Sequence, residues 1–328
     1  MKDRKLGKQG PVVSEIGLGC WQLGADWGDP MSDKNAFAIL DEAVKQGINI
    51  FDTADVYGAG KSETLIGKFL KSTDVPITVI TKFGRAGDLF PDNYTEKALN
   101  DAVTGALERL GVNSLDLLQL HCVPQKILEK GDIFDWLRKL QLTGLIKNFG
   151  ASIETVEEGL ICMEQEGLLS LQVIFNIFRQ KLVTELFPQA LKKEVGIVVR
   201  LPLASGLLAG KYNAATRFAE NDHRNYNRNG EAFNVGETFA GLEFEKGLEL
   251  TERIKADFLP EEINMVQLAL RWILDHEAVS CVIPGASRPE QVVSNALASE
   301  LNPLSSELHE KLSAFYMKEI QANIRGAY

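Results

Sequence analysis

Leu107-Glu-Arg-Leu-Gly-Val-Asn-Ser-Leu-Asp-Leu-Leu-Gln-Leu-His121 reads as a helix end, a glycine that stops it, and a short apolar strand finishing on a histidine. Gly111 tolerates the left-handed backbone that closes many helices. Upstream, Thr95 is a residue type whose hydroxyl caps helix starts, so Thr95–Leu110 reads as the helix. The strand Asp116–His121 is too short to be a helix and is bounded on both sides.

The same strand-then-helix alternation extends outward in both directions. Glu15–Gly19 precedes Asp33–Gln46, Ile48–Asp52 precedes Ser62–Leu70, and Ile77–Lys82 precedes Thr95–Leu110. Asp116–His121 precedes Gly131–Gln141, Ile146–Gly150 precedes Glu154–Glu166, and Leu171–Asn176 precedes Lys181–Glu194. Ile197–Arg200 leads through an irregular stretch to Glu261–His276, and Ser280–Ile283 precedes Pro289–Ala298. Parallel strands need crossovers, and a helix over the sheet is the usual one. Eight such units in a row predict an α/β fold, a closed (β/α)8 TIM barrel in one domain over residues 1–328, since an open sheet would leave edges to protect. Ser62 and Thr95 are expected N-caps, and Gly47, Gly111 and Gly196 fall where helices should end. Lys5 to Ser14 reads as a short N-terminal β-hairpin closing one end.

One long stretch after the seventh strand, Tyr212 to Gly247, has no clear periodicity and is rich in Asn, Arg, Gly and Glu. It belongs to the C-terminal face, where barrel active sites are built, and reads either as a lid over a ligand or as a solvated loop.

The 328 residues are 45% hydrophobic and 24% charged, ordinary for a globular chain with a large core. No apolar run approaches the ~18 residues of a membrane helix, and Met1–Gly10 is too charged for a signal peptide, so the expectation is cytoplasmic. A net charge of −10 speaks against nucleic acid or an anionic membrane as partner. Any phosphate-bearing ligand must then be held by a few local cations. Cys20, Cys122, Cys162 and Cys281 stand singly, as reduced thiols, with no metal-ligand spacing.

Polar residues stand at consecutive strand ends. Asp52 ends the second strand and Tyr57 follows in Phe51-Asp-Thr-Ala-Asp-Val-Tyr-Gly58; Lys82 ends the third and His121 the fourth. Barrel closure would bring them into one pocket, and together they suit carbonyl reduction. When hydride reaches a carbonyl carbon, the oxygen needs a proton. A tyrosine with an ordinary pKa of about 10 is a poor acid at neutral pH, and a lysine ammonium beside it is expected to lower that value. Asp52 would keep Lys82 charged, and His121 would orient the carbonyl oxygen.

Leu18-Gly-Cys-Trp21, Gly47-Ile-Asn-Ile-Phe-Asp-Thr-Ala-Asp-Val-Tyr-Gly58 and the Leu107–His121 stretch closely resemble the aldo-keto reductase superfamily, and the resemblance runs from about Leu6 to Asn295. It implies Asp52, Tyr57, Lys82 and His121 as the catalytic tetrad, Tyr57 as proton donor, and NADP(H) as cofactor. Val199-Arg-Leu-Pro-Leu-Ala-Ser-Gly-Leu-Leu-Ala-Gly-Lys211 resembles the pyrophosphate segment, implying contacts from Leu203, Ser205, Gly206 and Lys211. Val282-Ile-Pro-Gly-Ala-Ser-Arg-Pro-Glu-Gln-Val-Val-Ser-Asn295 resembles the segment for the adenosine 2′-phosphate, implying Ser287 and Arg288 on the phosphate and Gln291 and Asn295 toward the adenine. Ser152 and Gln172 match the positions that hold the nicotinamide carboxamide, and Cys20 and Trp21 belong to the same cofactor wall. Arg200 stands where many members place an aromatic ring, Ile153 where Asn or Arg is common, and Gly285 where some carry a lysine. Trp21, Trp27, Tyr57 and His121, with Phe83 beside them, are expected to line the substrate pocket for a small carbonyl or alcohol.

Other chemistries have less support. No Gly-x-Gly-x-x-Gly follows a strand, and Gly206-Leu-Leu-Ala-Gly-Lys211 is one residue short of a P-loop, with Tyr212 where Ser or Thr is required. A Schiff-base lysine would have to be neutral, against Asp52. His121, His223, His276 and His309 show no metal-binding spacing. An NADP-binding subunit with little turnover, serving a partner protein, stays open as the alternative.

Overall fold

The computed structural model describes residues 1–24 and 31–328. The hairpin pairs β1 (Asp3–Lys5) with β2 (Val12–Ser14), antiparallel. Eight strands follow: β3 (Leu18–Gly19), β4 (Ile50–Asp52), β5 (Thr78–Phe83), β6 (Leu115–His121), β7 (Ile146–Ser152), β8 (Leu168–Ile174), β9 (Gly196–Arg200) and β10 (Val279–Val282). They lie side by side in chain order, each parallel to the next. The ring closes where Val282 N–H donates to Glu15 O at 2.9 Å and Gly17 N–H to Val282 O at 2.8 Å. Gly19 bridges Gly285 at this seam, where a Cβ on Gly19 would fall 2.8 Å from the Ile283 carbonyl oxygen. The fold is a (β/α)8 barrel.

Two hydrophobic layers hold it. Ile50, Ile80, Leu117, Leu169, Val198 and Cys281 cluster with Leu6 and Val13 of the hairpin segment, which plugs the N-terminal end. The larger layer lies between strands and helices and includes Phe51, Phe83, Phe149 and Trp272. Burial on both faces explains why the strands read as apolar runs. Each fully buried Leu or Phe contributes about 2 kcal/mol.

Thr95 caps its helix by accepting from Ala98 N–H, and Gly111 ends it in the left-handed region at φ 67°. Ser62 does not cap. The helix Lys61–Leu70 starts after a left-handed Gly60, and the buried Ser62 hydroxyl instead donates to Cys20 O at 2.9 Å and accepts from Thr53 at 2.8 Å. Gly196 is not a helix end either; it lies in β9, and a Cβ there would meet Gly7 N of the hairpin at 2.7 Å. Gly131 separates Gln125–Lys130 from Asp132–Leu142, and the expected Lys181–Glu194 helix is two pieces, the second beginning Phe187-Pro188.

The 212–247 stretch is built rather than featureless. It carries a short helix His223–Tyr226, 3₁₀ turns at Val235–Glu237 and Phe239–Gly241, and the start of the helix Phe244–Asp257. The C-terminal segment pins it: the Arg325 guanidinium donates to Gly241 O, Leu242 O, Arg228 O and Asn229 Oδ1 at 2.9 to 3.1 Å. Among the described residues no helix is long and apolar enough to cross a membrane.

Candidate active site

Closure of the ring brings the C-terminal ends of β4, β5 and β6 together. Lys82 Nζ donates to Asp52 Oδ1 at 2.6 Å, to Thr53 O at 2.7 Å and to the Tyr57 oxygen at 3.4 Å. Lys82 and Asp52 are both buried. His121 stands edge-on to the Tyr57 ring, centroids 6.0 Å apart, and its buried Nδ1 has no hydrogen-bond partner among the described residues.

Charge balance sets the protonation states. Burial disfavours a charged Lys82, but Asp52, Tyr57 and their hydrogen bonds together outweigh it, so its pKa rises and the ammonium persists. That is contrary to the neutral amine a Schiff base needs. Burial pushes His121 well below the usual imidazole range, and Arg85, Lys82 and Arg200 push the same way, so it is a neutral ring at pH 7. Tyr57 departs from expectation. Burial raises its phenol above the ordinary value, and Lys82 recovers only part of that because Asp52 opposes it.

Trp21 lines this mouth, its ring centroid 6.2 Å from Tyr57 and 4.7 Å from His223 of the long loop. Phe83 does not join it. That side chain is fully buried in the outer core against Tyr94, because it follows Lys82 and alternation turns it to the opposite face of β5. Trp27 lies outside the described residues.

Of the positions implied for a cofactor, Gln172 is closest to the tetrad: its Nε2 donates to Asp52 Oδ2 at 2.6 Å. Ser152 Oγ lies 3.7 Å from Cys122 Sγ, while the buried Cys20 thiol turns to Leu18 O. After β9 the backbone is left-handed at Leu201, Ala204, Ser205 and Gly206. Ser205 Oγ donates to Glu237 O and accepts from Phe239 N–H, and Gly206 leaves room for Tyr212, whose oxygen would lie 2.4 Å from a Cβ. Leu203 is half-buried and Lys211 exposed. Beyond β10, Ser287 N–H and Oγ both donate to Gln291 Oε1, Arg288 is the exposed N-cap of the helix Pro289–Ala296, and Asn295 is buried along that helix. Gly285 faces the Gln22 amide, 2.4 Å from where its Cβ would be.

A cluster at the mouth was not foreseen. Arg85 NH2 donates to Glu154 Oε1 at 2.7 Å and to Glu237 Oε1 at 2.5 Å, and Arg200 NH1 lies 3.4 Å from Glu237 Oε2. Burial alone would raise Glu237, but the two guanidiniums hold it down to about 2. Cys122, Glu154 and Glu237 bring three ligand-type atoms within 4.8 Å, yet Arg85 and Arg200 already neutralise those carboxylates. Arg85 and Glu154 sit two residues past strand ends, a signal the sequence offered; Glu237 had none.

The residues fit a nicotinamide dinucleotide. Among the described residues, His121 Nδ1 at the end of β6, Arg200 Nε at the end of β9 and Gln22 Oε1 in the short helix Trp21–Gly24 after β3 are buried polar atoms without a hydrogen-bond partner. The helix start at Arg288 adds exposed positive charge at the rim.

A model of the aldo/keto reductase family matches residues 15–316. An uncharacterized oxidoreductase, YqkF of Bacillus subtilis, is 29% identical, with 98% of each chain covered. Probable aldo-keto reductase 1 of Glycine max is 28% identical over 94% of this chain and 88% of its own. Among solved structures, the holo form of aldo-keto reductase AKR11C1 from Bacillus halodurans has a TM-score of 0.76 at 26% identity, covering 100% of this chain and 98% of its own. The glycerol dehydrogenase AKR11B4 from Gluconobacter oxydans has 0.78 at 26%, covering 99% and 98%.

Proposed function

The chain belongs to the aldo/keto reductase family, and from that premise we propose that it is an NADP(H)-dependent enzyme interconverting an aldehyde or ketone with its alcohol. The observation that carries the reading is the Lys82 ammonium held between Asp52 at 2.6 Å and the Tyr57 oxygen at 3.4 Å.

A bound nicotinamide supplies hydride to the carbonyl carbon, or takes it back from the alcohol. The carbonyl oxygen lies between the Tyr57 hydroxyl and a His121 N–H. As its electron pair localises on oxygen, that oxygen takes the Tyr57 proton, and the phenolate left behind is balanced by Lys82. Asp52 keeps Lys82 charged throughout. His121, neutral at pH 7, donates a hydrogen bond without competing as an acid. Oxidation runs the same proton backwards.

Ser152 and Gln172 would hold the carboxamide, and the planar Arg200 guanidinium would stack under the ring as an aromatic does elsewhere. Leu203, Ser205, Gly206 and Lys211 would take the pyrophosphate, and Ser287 and Arg288 the 2′-phosphate, with Gln291 and Asn295 at the adenine. Cys20, Trp21 and Gly285 complete the wall, and Trp21, Tyr57 and His121 face the substrate. The 212–247 segment, with His223 against Trp21 and Glu237 against Arg85 and Arg200, would cover this cleft as a lid.

Wild-type protein is expected to oxidise NADPH in the presence of an aromatic aldehyde, and Tyr57→Phe to lose that turnover by roughly a thousandfold while still binding NADPH by fluorescence titration. A wild type that binds NADPH yet turns over no more than Tyr57→Phe would support the NADP-binding subunit instead.

A further inference from the structure

Gln119 takes no part in the proton transfer, yet it lies in the same interior layer, wholly buried. It is two residues before His121 on β6, so both side chains share a face. In the strand register it sits beside Lys82 of β5 on one side and Gly150 of β7 on the other. Gly150 in turn pairs with Ser170 of β8, and a Cβ on Gly150 would fall 2.7 Å from Ser170 Oγ. The missing side chain opens the gap across which Gln119 reaches β8. There its Oε1 accepts from Gln172 Nε2 at 3.0 Å and its Nε2 donates to Ser170 Oγ at 3.4 Å.

An amide is nearly symmetric in shape but not in chemistry: one end only donates, the other only accepts. Gln172 Nε2 gives one proton to Asp52 Oδ2 at 2.6 Å and the other to Gln119. Rotating the Gln172 amide by half a turn would set its oxygen against a carboxylate and a second amide oxygen. A buried polar network of this kind specifies one arrangement when every member is satisfied.

We propose that Gln119, seated on Ser170 across Gly150, is a positioning residue that locks the Gln172 amide with its nitrogen toward Asp52 and its oxygen toward the nicotinamide carboxamide. The inference rests on the reading that a nicotinamide binds against Gln172. Gln119 then serves both halves of the site. Through Gln172 it presents an acceptor to the cofactor's carboxamide NH2, and it steadies the Asp52 oxygen opposite the one that holds Lys82.

The test measures binding rather than turnover. Fluorescence titration compares NADPH with its analogue bearing an acetyl group in place of the carboxamide, which lacks the NH2. Wild type is expected to prefer NADPH by about tenfold, one hydrogen bond's worth, and Gln119→Met to reduce that preference to roughly twofold. Ser170→Ala, a milder change, should shift it in the same direction by less. The Gln119→Met/Gln172→Met double variant should discriminate no worse than Gln172→Met alone, since the first residue acts only through the second. Additive losses, or a Gln119→Met protein that still discriminates as wild type does, would overturn the inference. A wild type without any preference would overturn it too, leaving the proton-donor reading to stand on Tyr57→Phe. Full turnover in Tyr57→Phe would remove that reading while leaving the binding result to judge Gln119.

Discussion

Replacing the buried ammonium isolates what it contributes. Lys82→Met alone would strand Asp52 as an unpaired buried charge at a cost of roughly 3–5 kcal/mol, so the useful protein is the double variant Lys82→Met with Asp52→Asn. This pair stays neutral and keeps an acceptor for the Gln172 Nε2 that now lies 2.6 Å from Asp52 Oδ2. In wild type the ammonium is 3.4 Å from the Tyr57 oxygen. At an effective dielectric of about 20, a full phenolate at that separation gains about 5 kcal/mol. With about half that charge developed in the transition state, kcat for aldehyde reduction should fall on the order of a hundredfold. The pH profile adds a signature. Reduction needs the phenol protonated, so activity declines as pH rises through the Tyr57 pKa, and losing the ammonium moves that decline further alkaline. Steady-state NADPH oxidation across pH, with thermal melting to verify folding, reads both. A folded double variant whose kcat stays within about threefold of wild type would refute the electrostatic role of Lys82.

Three further outcomes follow from other parts of the structure. Arg288→Ala should weaken NADPH binding about tenfold by titration and leave NADH unchanged, because only NADPH carries the 2′-phosphate. Glu237 has a folded-state pKa of about 2 against an ordinary 4.5. Its contribution is therefore complete above the ordinary value and is lost as pH falls toward the folded one. Trypsin cleavage of the loop at Arg228 should accelerate in Glu237→Gln at neutral pH, and equal rates would show that Glu237 does not hold the loop down. Arg325→Ala removes a guanidinium that donates to three loop carbonyls and to Asn229. Faster hydrogen exchange over 228–242 is expected, with roughly 2 kcal/mol lost in unfolding.

Helix Phe244–Asp257 shows how a readable pattern was hidden by its surroundings. Phe244, Gly247, Leu250, Thr251 and Ile254 are its buried face at helical spacing, but the polar run before it masked the start. Ser62 shows the opposite. It is a proper capping residue in sequence, and only the approach of Cys20 and Thr53 redirects its hydroxyl. The sign of the Tyr57 shift was likewise out of reach, since it balances burial against the lowering effect of Lys82 and Arg200 and the raising effect of Asp52 and Glu237, all of which depend on three-dimensional distances.

By itself, the order of residues determined the eight strand–helix units and the placement of Asp52, Tyr57, Lys82 and His121 at or just past successive strand ends. Both are periodic, local properties, and in a parallel barrel a strand end is already a position at the mouth. Tertiary structure decided the partners. It brought Glu237 across to Arg85 and Arg200, opened Gly150 so that Gln119 could reach Ser170, and set Arg325 under the loop. Such pairings join residues far apart in the chain, and their energies depend on distance and burial, neither of which is written in any local stretch of sequence.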